Sequence, residues 1–191
     1  MLARIGVVQF APKIGQVHAN LATARHLCRR IQPQSLDLLC FSEMAFSGYV
    51  FQNSAAITPY LEHPRTGPTS QFCSDIAKRL QCYVLAGFPE KLSLDEDRKI
   101  HQVGANSAVF YGPDGEWVGG YRKTHLYETD LTWAKPGGYS ILINPFSLHT
   151  TLPRHRVRYL QSTTTLANHN YRHMHGPQSS NPRLVARTRS L

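Results

Sequence analysis

Residues 36–49 have the sequence LDLLCFSEMAFSGY, and this stretch decides the predicted fold. Its first six residues are almost entirely apolar, which is typical of a strand buried within a sheet. Glu43 comes two positions after the end of this run, where the strand is expected to end in a loop. Functional side chains of α/β proteins gather at such strand ends. The stretch therefore predicts a buried strand that presents a carboxylate at its end.

Strands and helices alternate on both sides of this stretch. Residues 4–10 (RIGVVQF) and 82–87 (CYVLAG) are short apolar runs that predict two further buried strands. Apolar residues recur at helical spacing over 17–31, and a second helix is predicted to open at 67–70 (GPTS). Strand–helix–strand order favours right-handed crossovers and a mixed sheet covered by helices. The predicted fold class is α/β.

A β-hairpin is predicted after these elements. Residues 106–111 and 116–121 flank the sequence Gly-Pro-Asp-Gly at 112–115, which is a strong turn signal. Lys123 leaves the second arm of this hairpin, so it also falls at a strand end. We therefore expect Glu43 and Lys123 to lie at the functional edge of the sheet.

The positive charge of the chain lies in its last third. The formal net charge is +9, yet Asp130 is the last acidic residue, and beyond it come Lys135 and seven arginines. Residues 141–146 (ILINPF) predict one more strand, but the text after it has no sustained period and few apolar residues. Such a sequence cannot bury enough surface to offset its ordering entropy. We therefore predict a globular domain part at 1–145 and a disordered basic tail at 146–191, of the kind that a frameshift or a retained intron produces.

The cysteines and the N-terminus indicate the compartment. The four cysteines have no CxxC spacing and fall within apolar stretches, which favours buried free thiols in a reducing environment. The N-terminal segment MLARIGVVQF is too short and too rich in β-branched residues for a signal peptide. No apolar run in the sequence approaches the length of a membrane span. The sequence predicts a cytoplasmic protein without a membrane segment.

Glu43 and Lys123 suit the cleavage of a carbon–nitrogen bond. Such a reaction needs a nucleophile, a base that takes its proton, and a cation or amide donor for the developing oxyanion. A carboxylate and a lysine beside a cysteine meet these needs without histidine. By residue type alone, a glutamate after an apolar strand is more often a solvated end or a helix-cap partner, and an exposed lysine after a hairpin is usually a surface charge.

The words around these residues carry a resemblance. FSEMAFSGY around Glu43 and GGYRKTHLYETDLTWAKPG around Lys123 resemble the first two motifs of the nitrilase superfamily of carbon–nitrogen hydrolases. RIGVVQFAPKIGQVHANL also fits the opening strand and helix of that family. Three further segments, YVFQN, YLEHPRTGPTSQFC and GANSAVFYGPDGEWVGGYRKT, look most like fungal protein N-terminal amidases. The resemblance covers roughly residues 3–137.

The resemblance implies a fold, a reaction and roles for residues. The implied fold is a nitrilase-like α-β-β-α sandwich, incomplete in this chain. The implied reaction deamidates an N-terminal Asn or Gln of a polypeptide and feeds an N-degron pathway of protein degradation. Glu43 maps onto the family's general base and Lys123 onto its oxyanion-stabilising lysine. A second acidic residue often assists the lysine, and both Glu128 and Asp130 are near enough in sequence.

One expected motif is absent from the sequence. The family nucleophile lies in a segment like Gly-x-x-x-Cys-x-Asp after the Pro-Gly step, and no cysteine follows Lys123 in the 191 residues. We therefore expect no nucleophilic cysteine, and a chain that is inactive as written. A non-catalytic binding product, or a nitrilase or aliphatic amidase relative of other specificity, remains the alternative.

The sequence also bears on which cofactors and partners are expected. No cofactor or metal is expected, because the histidines at 169, 173 and 175 come without cysteine or acidic ligands. The tail arginines are scattered, with few aromatic residues for base stacking, which does not favour nucleic acid. The expected partners are polypeptide N-termini or a small amide, and the family resemblance implies homo-oligomers.

Overall fold

The computed structural model describes residues 3–96, 99–138, 142–143 and 156–161. One sheet runs through this part of the chain, with two long helices beside it. The strands are β1 (Arg4–Gln9), β2 (Leu38–Phe41), β3 (Tyr83–Lys91), β4 (Gly104–Tyr111), β5 (Trp117–Arg122), β6 (Leu142–Ile143) and β7 (Arg156–Gln161). The helices are α1 (Val17–Cys28), α2 (Ser54–Ile57) and α3 (Pro68–Leu80), with short 3-10 segments at Thr58–Tyr60 and Asp130–Thr132.

The sheet is mixed, as the sequence predicts. Its strand order is β6-β5-β4-β3-β2-β1-β7. β7, β1, β2 and β3 are parallel neighbours, whereas β3, β4, β5 and β6 pair in antiparallel fashion. α1 connects β1 to β2 and α3 connects β2 to β3, because parallel neighbours need a crossover.

The predicted elements are present, with shifted ends. The strand expected at 82–87 continues to Lys91, and the hairpin arms are Gly104–Tyr111 and Trp117–Arg122. Gly115 in the turn between these arms has φ 76°, a left-handed conformation that glycine adopts without strain. The short helix α2 has no counterpart in the sequence analysis; Asn53 caps it through its side-chain oxygen, which accepts a hydrogen bond from the amide of Ala56.

The main core lies on one face of the sheet, which we call the covered face. Alternate residues of the strands, such as Leu39, Val84 and Val109, are buried there against Phe72 of α3 and Leu21 of α1. The aromatic rings of Phe41, Phe46 and Phe72 pack in tilted and edge-to-face pairs, with centroids 4.8 to 5.6 Å apart. Burial of this apolar surface is the main stabilising contribution to the described domain.

The opposite face of the sheet carries a row of half-buried apolar residues. Val7, Cys40, Leu85 and Phe110 follow one another across four neighbouring strands in register. Each is intermediate in exposure, and none belongs to either cluster of buried core residues found in the described part. We call these four residues the open face.

A second, smaller cluster lies beyond the end of the sheet. Met44, Phe51, Ile57, Trp133 and Ala134 are buried together. They come from the loop after β2, from α2 and from the segment after Lys123, so the cluster ties the two sequence motifs to each other.

The tail departs from the expectation of disorder at one point. Arg156–Gln161 forms β7, which pairs in parallel with β1 along its whole length. A run that alternates arginine with Val157, Tyr159 and the adjacent Leu160 suits a strand, and the edge of β1 offers unpaired backbone groups to it. These six residues are therefore paired in the sheet, and disorder of the rest of the tail stays a prediction, because the remaining positions after 143 lie outside the described residues.

No helix among the described residues has the length and apolar character to cross a bilayer. The domain boundary predicted near residue 145 also falls outside the described residues.

Candidate active site

Glu43 lies on a turn that packs directly against β3. The turn follows β2, and the amide of Ala45 donates to the carbonyl of Gly87, 3.3 Å away. A Cβ built on Gly87 would lie 2.8 Å from the Cα of Glu43, so only glycine lets the two backbones approach this closely. Met44, the next residue, has φ 51° although it is not glycine. Backbone strain of this kind clusters at functional sites.

Lys123 lies at the end of β5 and is held by its backbone on both sides. Its amide donates to the carbonyl of Asn106 at 2.8 Å, and its carbonyl accepts from the amide of Gly137 at 2.9 Å. A Cβ on Gly137 would lie 2.2 Å from the carbonyl oxygen of Arg122. The glycine of the Pro-Gly step is therefore needed for the returning chain to lie against the lysine.

The structure brings Glu43, Lys123 and Asp130 together. Nζ of Lys123 lies 2.8 Å from Oε1 of Glu43 and 2.8 Å from Oδ2 of Asp130. The side chain of Asp130 is 2% exposed, that of Lys123 25% and that of Glu43 45%, so the cluster runs from the interior to the surface. Glu128, the other acidic candidate, is exposed. The geometry thus distinguishes between the two acidic residues and brings Asp130 to the lysine.

The charges of the cluster keep the lysine protonated. Burial by itself lowers the pKa of Lys123, but hydrogen bonds to Asp130 and to Glu43 outweigh it and raise the pKa well above its usual value. The ammonium is therefore a permanent positive charge at neutral pH, as a group that stabilises an oxyanion must be.

Asp130 is buried, and both of its carboxylate oxygens accept hydrogen bonds. Besides Lys123, the amide of Tyr127 donates to its Oδ2 at 3.2 Å and Nδ2 of Asn106 donates to its Oδ1 at 3.3 Å. The 3-10 segment that carries Asp130 is followed by the buried Trp133, whose carbonyl accepts from the amide of Val103. A buried carboxylate needs such partners, and here they orient it toward the lysine.

Asn106 is a member of the site that the sequence analysis does not identify. It lies on β4, is 3% exposed, and its Nδ2 donates to Oε1 of Glu43 at 2.7 Å. Its signal in the sequence is an asparagine within an apolar strand, because asparagine is depleted from strand interiors unless a partner is present.

Tyr49, from the Gly-Tyr of the first motif, borders the cluster. Nζ of Lys123 lies 6.0 Å from the centroid of its ring. Burial, and then the negative charges of Asp130 and Glu43, raise the pKa of the Tyr49 phenol. Val50, which follows it, has φ 66° and is 54% exposed, a strained conformation for a β-branched residue.

The four cysteines lie elsewhere or are inert. Cys28, Cys73 and Cys82 are buried, and burial raises the pKa of Cys28 to about 11 and that of Cys82 to about 12. Burial also raises the pKa of the Cys73 and Cys40 thiols. Cys40 is half-buried on the open face. Thiols in such apolar surroundings are poor nucleophiles at neutral pH.

No cluster of metal-ligating side chains occurs within the ranges that the structure describes. The tail histidines considered as a metal site lie outside those ranges, as do the tail arginines considered for nucleic acid, apart from the arginines of β7.

Comparison with known proteins shows the family of this chain. Residues 4–152 match the carbon-nitrogen hydrolase family. The protein N-terminal amidase of Schizosaccharomyces pombe is 36% identical over 142 residues, which cover 72% of this chain and 48% of that protein. The protein N-terminal amidase of Saccharomyces cerevisiae is 30% identical over 151 residues, covering 75% of this chain and 32% of that protein. The chain therefore spans less than half the length of either relative.

Solved structures show the same fold. A crystal structure of an N-terminal amidase superposes with a TM-score of 0.59 at 29% identity, over 68% of this chain and 30% of that one. The same type of enzyme with an Asn-Glu peptide bound gives a TM-score of 0.60. An amidase from Nesterenkonia sp. superposes with a TM-score of 0.55 at 19% identity, which is a similarity of fold alone.

Proposed function

The chain belongs to the carbon–nitrogen hydrolase family, and from this we propose that it carries the base and the oxyanion-stabilising half of a protein N-terminal amidase site. The observation that carries the proposal is the position of Nζ of Lys123, 2.8 Å from both Glu43 and Asp130. A carboxylate next to a permanent cation, open to solvent on one side and closed by a buried acid on the other, suits amide hydrolysis.

Each residue then has one role. A thiol attacks the amide carbon of an N-terminal Asn or Gln side chain while Glu43 takes the thiol proton. The electron pair of the carbonyl moves to its oxygen, and the ammonium of Lys123 donates a hydrogen bond to the resulting oxyanion. Glu43 returns the proton to the departing nitrogen, which leaves as ammonia. Water then cleaves the thioester with Glu43 again as the base, giving Asp or Glu and restoring the thiol.

The substrate class comes from the relatives. The most informative of them are protein N-terminal amidases, and crystal structures of such an enzyme hold Asn-Glu and Gln-Val peptides. A polypeptide N-terminus that ends in Asn or Gln is therefore the ligand we propose for the Glu43–Lys123–Asp130 cluster.

The thiol of this reaction is not one of the four cysteines of the chain. Three are buried, and the pKa of every one is raised, in the clearest cases to about 11 for Cys28 and about 12 for Cys82. We propose that the 191-residue chain binds amide-bearing N-termini and does not hydrolyse them.

Peptide titration tests this function. The chain is titrated with Asn-Glu, Gln-Val and Asp-Glu dipeptides, with calorimetry for binding and an enzymatic assay for ammonia. We expect the two amide peptides to bind more tightly than Asp-Glu, because Glu43 and Asp130 repel a third carboxylate. We expect no ammonia.

Two variants make the result specific to the site. Lys123→Met keeps most of the length of the side chain and removes the ammonium that would donate a hydrogen bond to the amide oxygen, so it should weaken the binding of both amide peptides. Lys91→Met removes an exposed lysine at the end of β3 and should leave this binding unchanged. Equal binding of Asn-Glu and Asp-Glu, or amide-peptide binding that is unchanged in Lys123→Met, would contradict the proposal. Ammonia release would contradict the statement on the cysteines and leave the site assignment standing.

A further inference from the structure

We propose that Asn106 is a positioning residue whose side-chain amide fixes which oxygen of Glu43 accepts a proton. The inference rests on the proposed function, because it concerns the base of that reaction. It comes from the hydrogen bonds around Asn106, which connect every charged member of the site.

The four side chains form a closed ring of hydrogen bonds. Oε1 of Glu43 accepts from Nζ of Lys123 at 2.8 Å, and the same Nζ donates to Oδ2 of Asp130 at 2.8 Å. Oδ1 of Asp130 accepts from Nδ2 of Asn106 at 3.3 Å, and the same Nδ2 donates to Oε1 of Glu43 at 2.7 Å, which closes the ring. A closed ring holds each member from two sides, so no single side chain can rotate without breaking two hydrogen bonds.

The orientation of the amide follows from its neighbours. An ionised carboxylate can accept hydrogen bonds but cannot donate them. The group of Asn106 that faces Glu43 and Asp130 is therefore its NH2 and not its oxygen. That NH2 has two hydrogens, one for each carboxylate. Asn106 is 3% exposed, so water cannot replace the two carboxylates as hydrogen-bond partners of its amide.

The ring occupies one oxygen of Glu43 and leaves the other open. Lys123 and Asn106 both donate to Oε1, and no described residue donates to Oε2. The Glu43 side chain is 45% exposed, so Oε2 is the oxygen that can contact a ligand arriving from solvent. In the proposed reaction the S–H or O–H bond of the nucleophile breaks, the proton forms a bond to Oε2, and the same oxygen later returns it to the leaving nitrogen.

Asparagine suits this position because it donates without a charge. A second lysine or arginine would stabilise the carboxylate further and weaken it as a base. An apolar residue would leave Glu43 and Asp130 to face each other with one shared cation. A neutral amide holds both carboxylates and leaves the positive charge of Lys123 for the oxyanion.

The ring can be observed without substrate. The chain is labelled with 15N-lysine and 13C-glutamate, and two quantities are measured for Lys123 by NMR. These are the scalar coupling across the hydrogen bond from Nζ to the Glu43 carboxylate carbon, and the rate at which the ammonium hydrogens exchange with water. We compare the wild type with Asn106→Leu, Asn106→Asp and Ser107→Ala.

The expected result separates positioning from stability. Asn106→Leu and Asn106→Asp should lose the coupling and speed the exchange by about tenfold, the factor for one hydrogen bond to a charged group. Asn106→Asp keeps the shape of the side chain, so its loss identifies the donor and not the packing, and it decides the question if Asn106→Leu does not fold. Ser107→Ala removes a buried hydrogen bond to Glu90 on the covered face of the same strand and should change neither quantity.

Retention of the coupling and the slow exchange in a folded Asn106 variant would overturn the inference. So would an equal loss in Ser107→Ala, which would show that any damage to β4 opens the site. Because no peptide is present, this outcome is independent of the titration above. A chain that fails to bind amide peptides but shows the Asn106 effect would refute the amidase proposal and keep the ring.

Discussion

At the scale of residues, the site depends on charges that are placed beside one another against their own repulsion. Glu43 and Asp130 are both anionic, and Lys123 lies 2.8 Å from each. Removing the lysine would leave Asp130, which is 2% exposed, as an unpaired buried charge. The same residues that suit the chemistry therefore hold the two sequence motifs together.

Thiol reactivity is a prediction at this scale. With a pKa of about 11 against a usual 9.0, Cys28 has roughly one hundredth of the ordinary thiolate fraction at neutral pH, and Cys82 has still less. We expect iodoacetamide at pH 8 to alkylate Cys28, Cys73 and Cys82 at least a hundredfold more slowly in the native chain than in urea. Mass spectrometry of the peptides measures each rate, which should rise as the pH approaches the thiol pKa.

Cys40 supplies the internal comparison, because it is half-buried and should react fastest of the four cysteines in the native chain. The Cys40→Ser variant should then show almost no native alkylation. Rapid native reaction of a buried thiol, accompanied by loss of peptide binding, would place a nucleophile near Glu43 and contradict our reading of the cysteines.

At the scale of elements, the position of Glu43 depends on how closely its turn packs against β3. A methyl group on Gly87 would lie 2.8 Å from the Cα of Glu43 and 3.0 Å from the backbone nitrogen of Met44. Backbone atoms cannot rotate away as a flexible side chain can. The turn after β2 and the strand β3 must therefore separate if residue 87 gains a Cβ.

Gly87→Ala should accordingly destabilise the chain by about 1–3 kcal/mol, the usual cost of overpacking. It should also lengthen the contact between Glu43 and Lys123, and so speed the exchange of the Lys123 ammonium hydrogens. Urea unfolding gives the first quantity and NMR the second.

Gly138→Ala is the control, since a Cβ at that position would meet no atom within 4 Å. If Gly87→Ala were as stable as Gly138→Ala, the close approach of the two backbones would not be what fixes the turn.

At the scale of the whole molecule, one face of the sheet is buried under helices and the other is only partly buried. Helices α1 and α3 bury the covered face, whereas Leu85 and Phe110 of the open face remain partly exposed. Contiguous apolar surface that is only partly buried favours association. We expect the 191-residue chain to self-associate through the open face.

The double variant Leu85→Thr/Phe110→Thr should therefore shift the chain toward monomer in sedimentation velocity. Threonine keeps strand propensity while lowering the apolar area. Val84→Thr, on the covered face of the same strand, is the matched control, because Val84 is fully buried. It should cost about 1–3 kcal/mol of stability and give no more monomer. Equal sedimentation of wild type and double variant would contradict a role for the open face.

The sequence by itself determined the order and kind of the main elements. Apolar runs and helical spacing are local patterns, so the strands around 4–10, 36–41 and 82–87, the helices between them and the hairpin at 104–122 were all predictable. The two motifs also pointed to Glu43 and Lys123, whose side chains lie 2.8 Å apart in the structure, and their resemblance identified the family. What it left open was the choice between Glu128 and Asp130.

Only the tertiary structure shows which of the two acids contacts Lys123, and the reason is physical. A single residue, Thr129, separates the two acids in sequence, but the 3-10 segment before Trp133 turns Asp130 inward to the lysine and leaves Glu128 exposed. Asn106 and Gly87 joined the site for a similar reason: each meets Glu43 across the sheet, 63 and 44 positions away in sequence. The pairing of β7 with the edge of β1 is equally long-range. Local patterns carry propensity, whereas contacts between distant segments depend on how the strands register against one another.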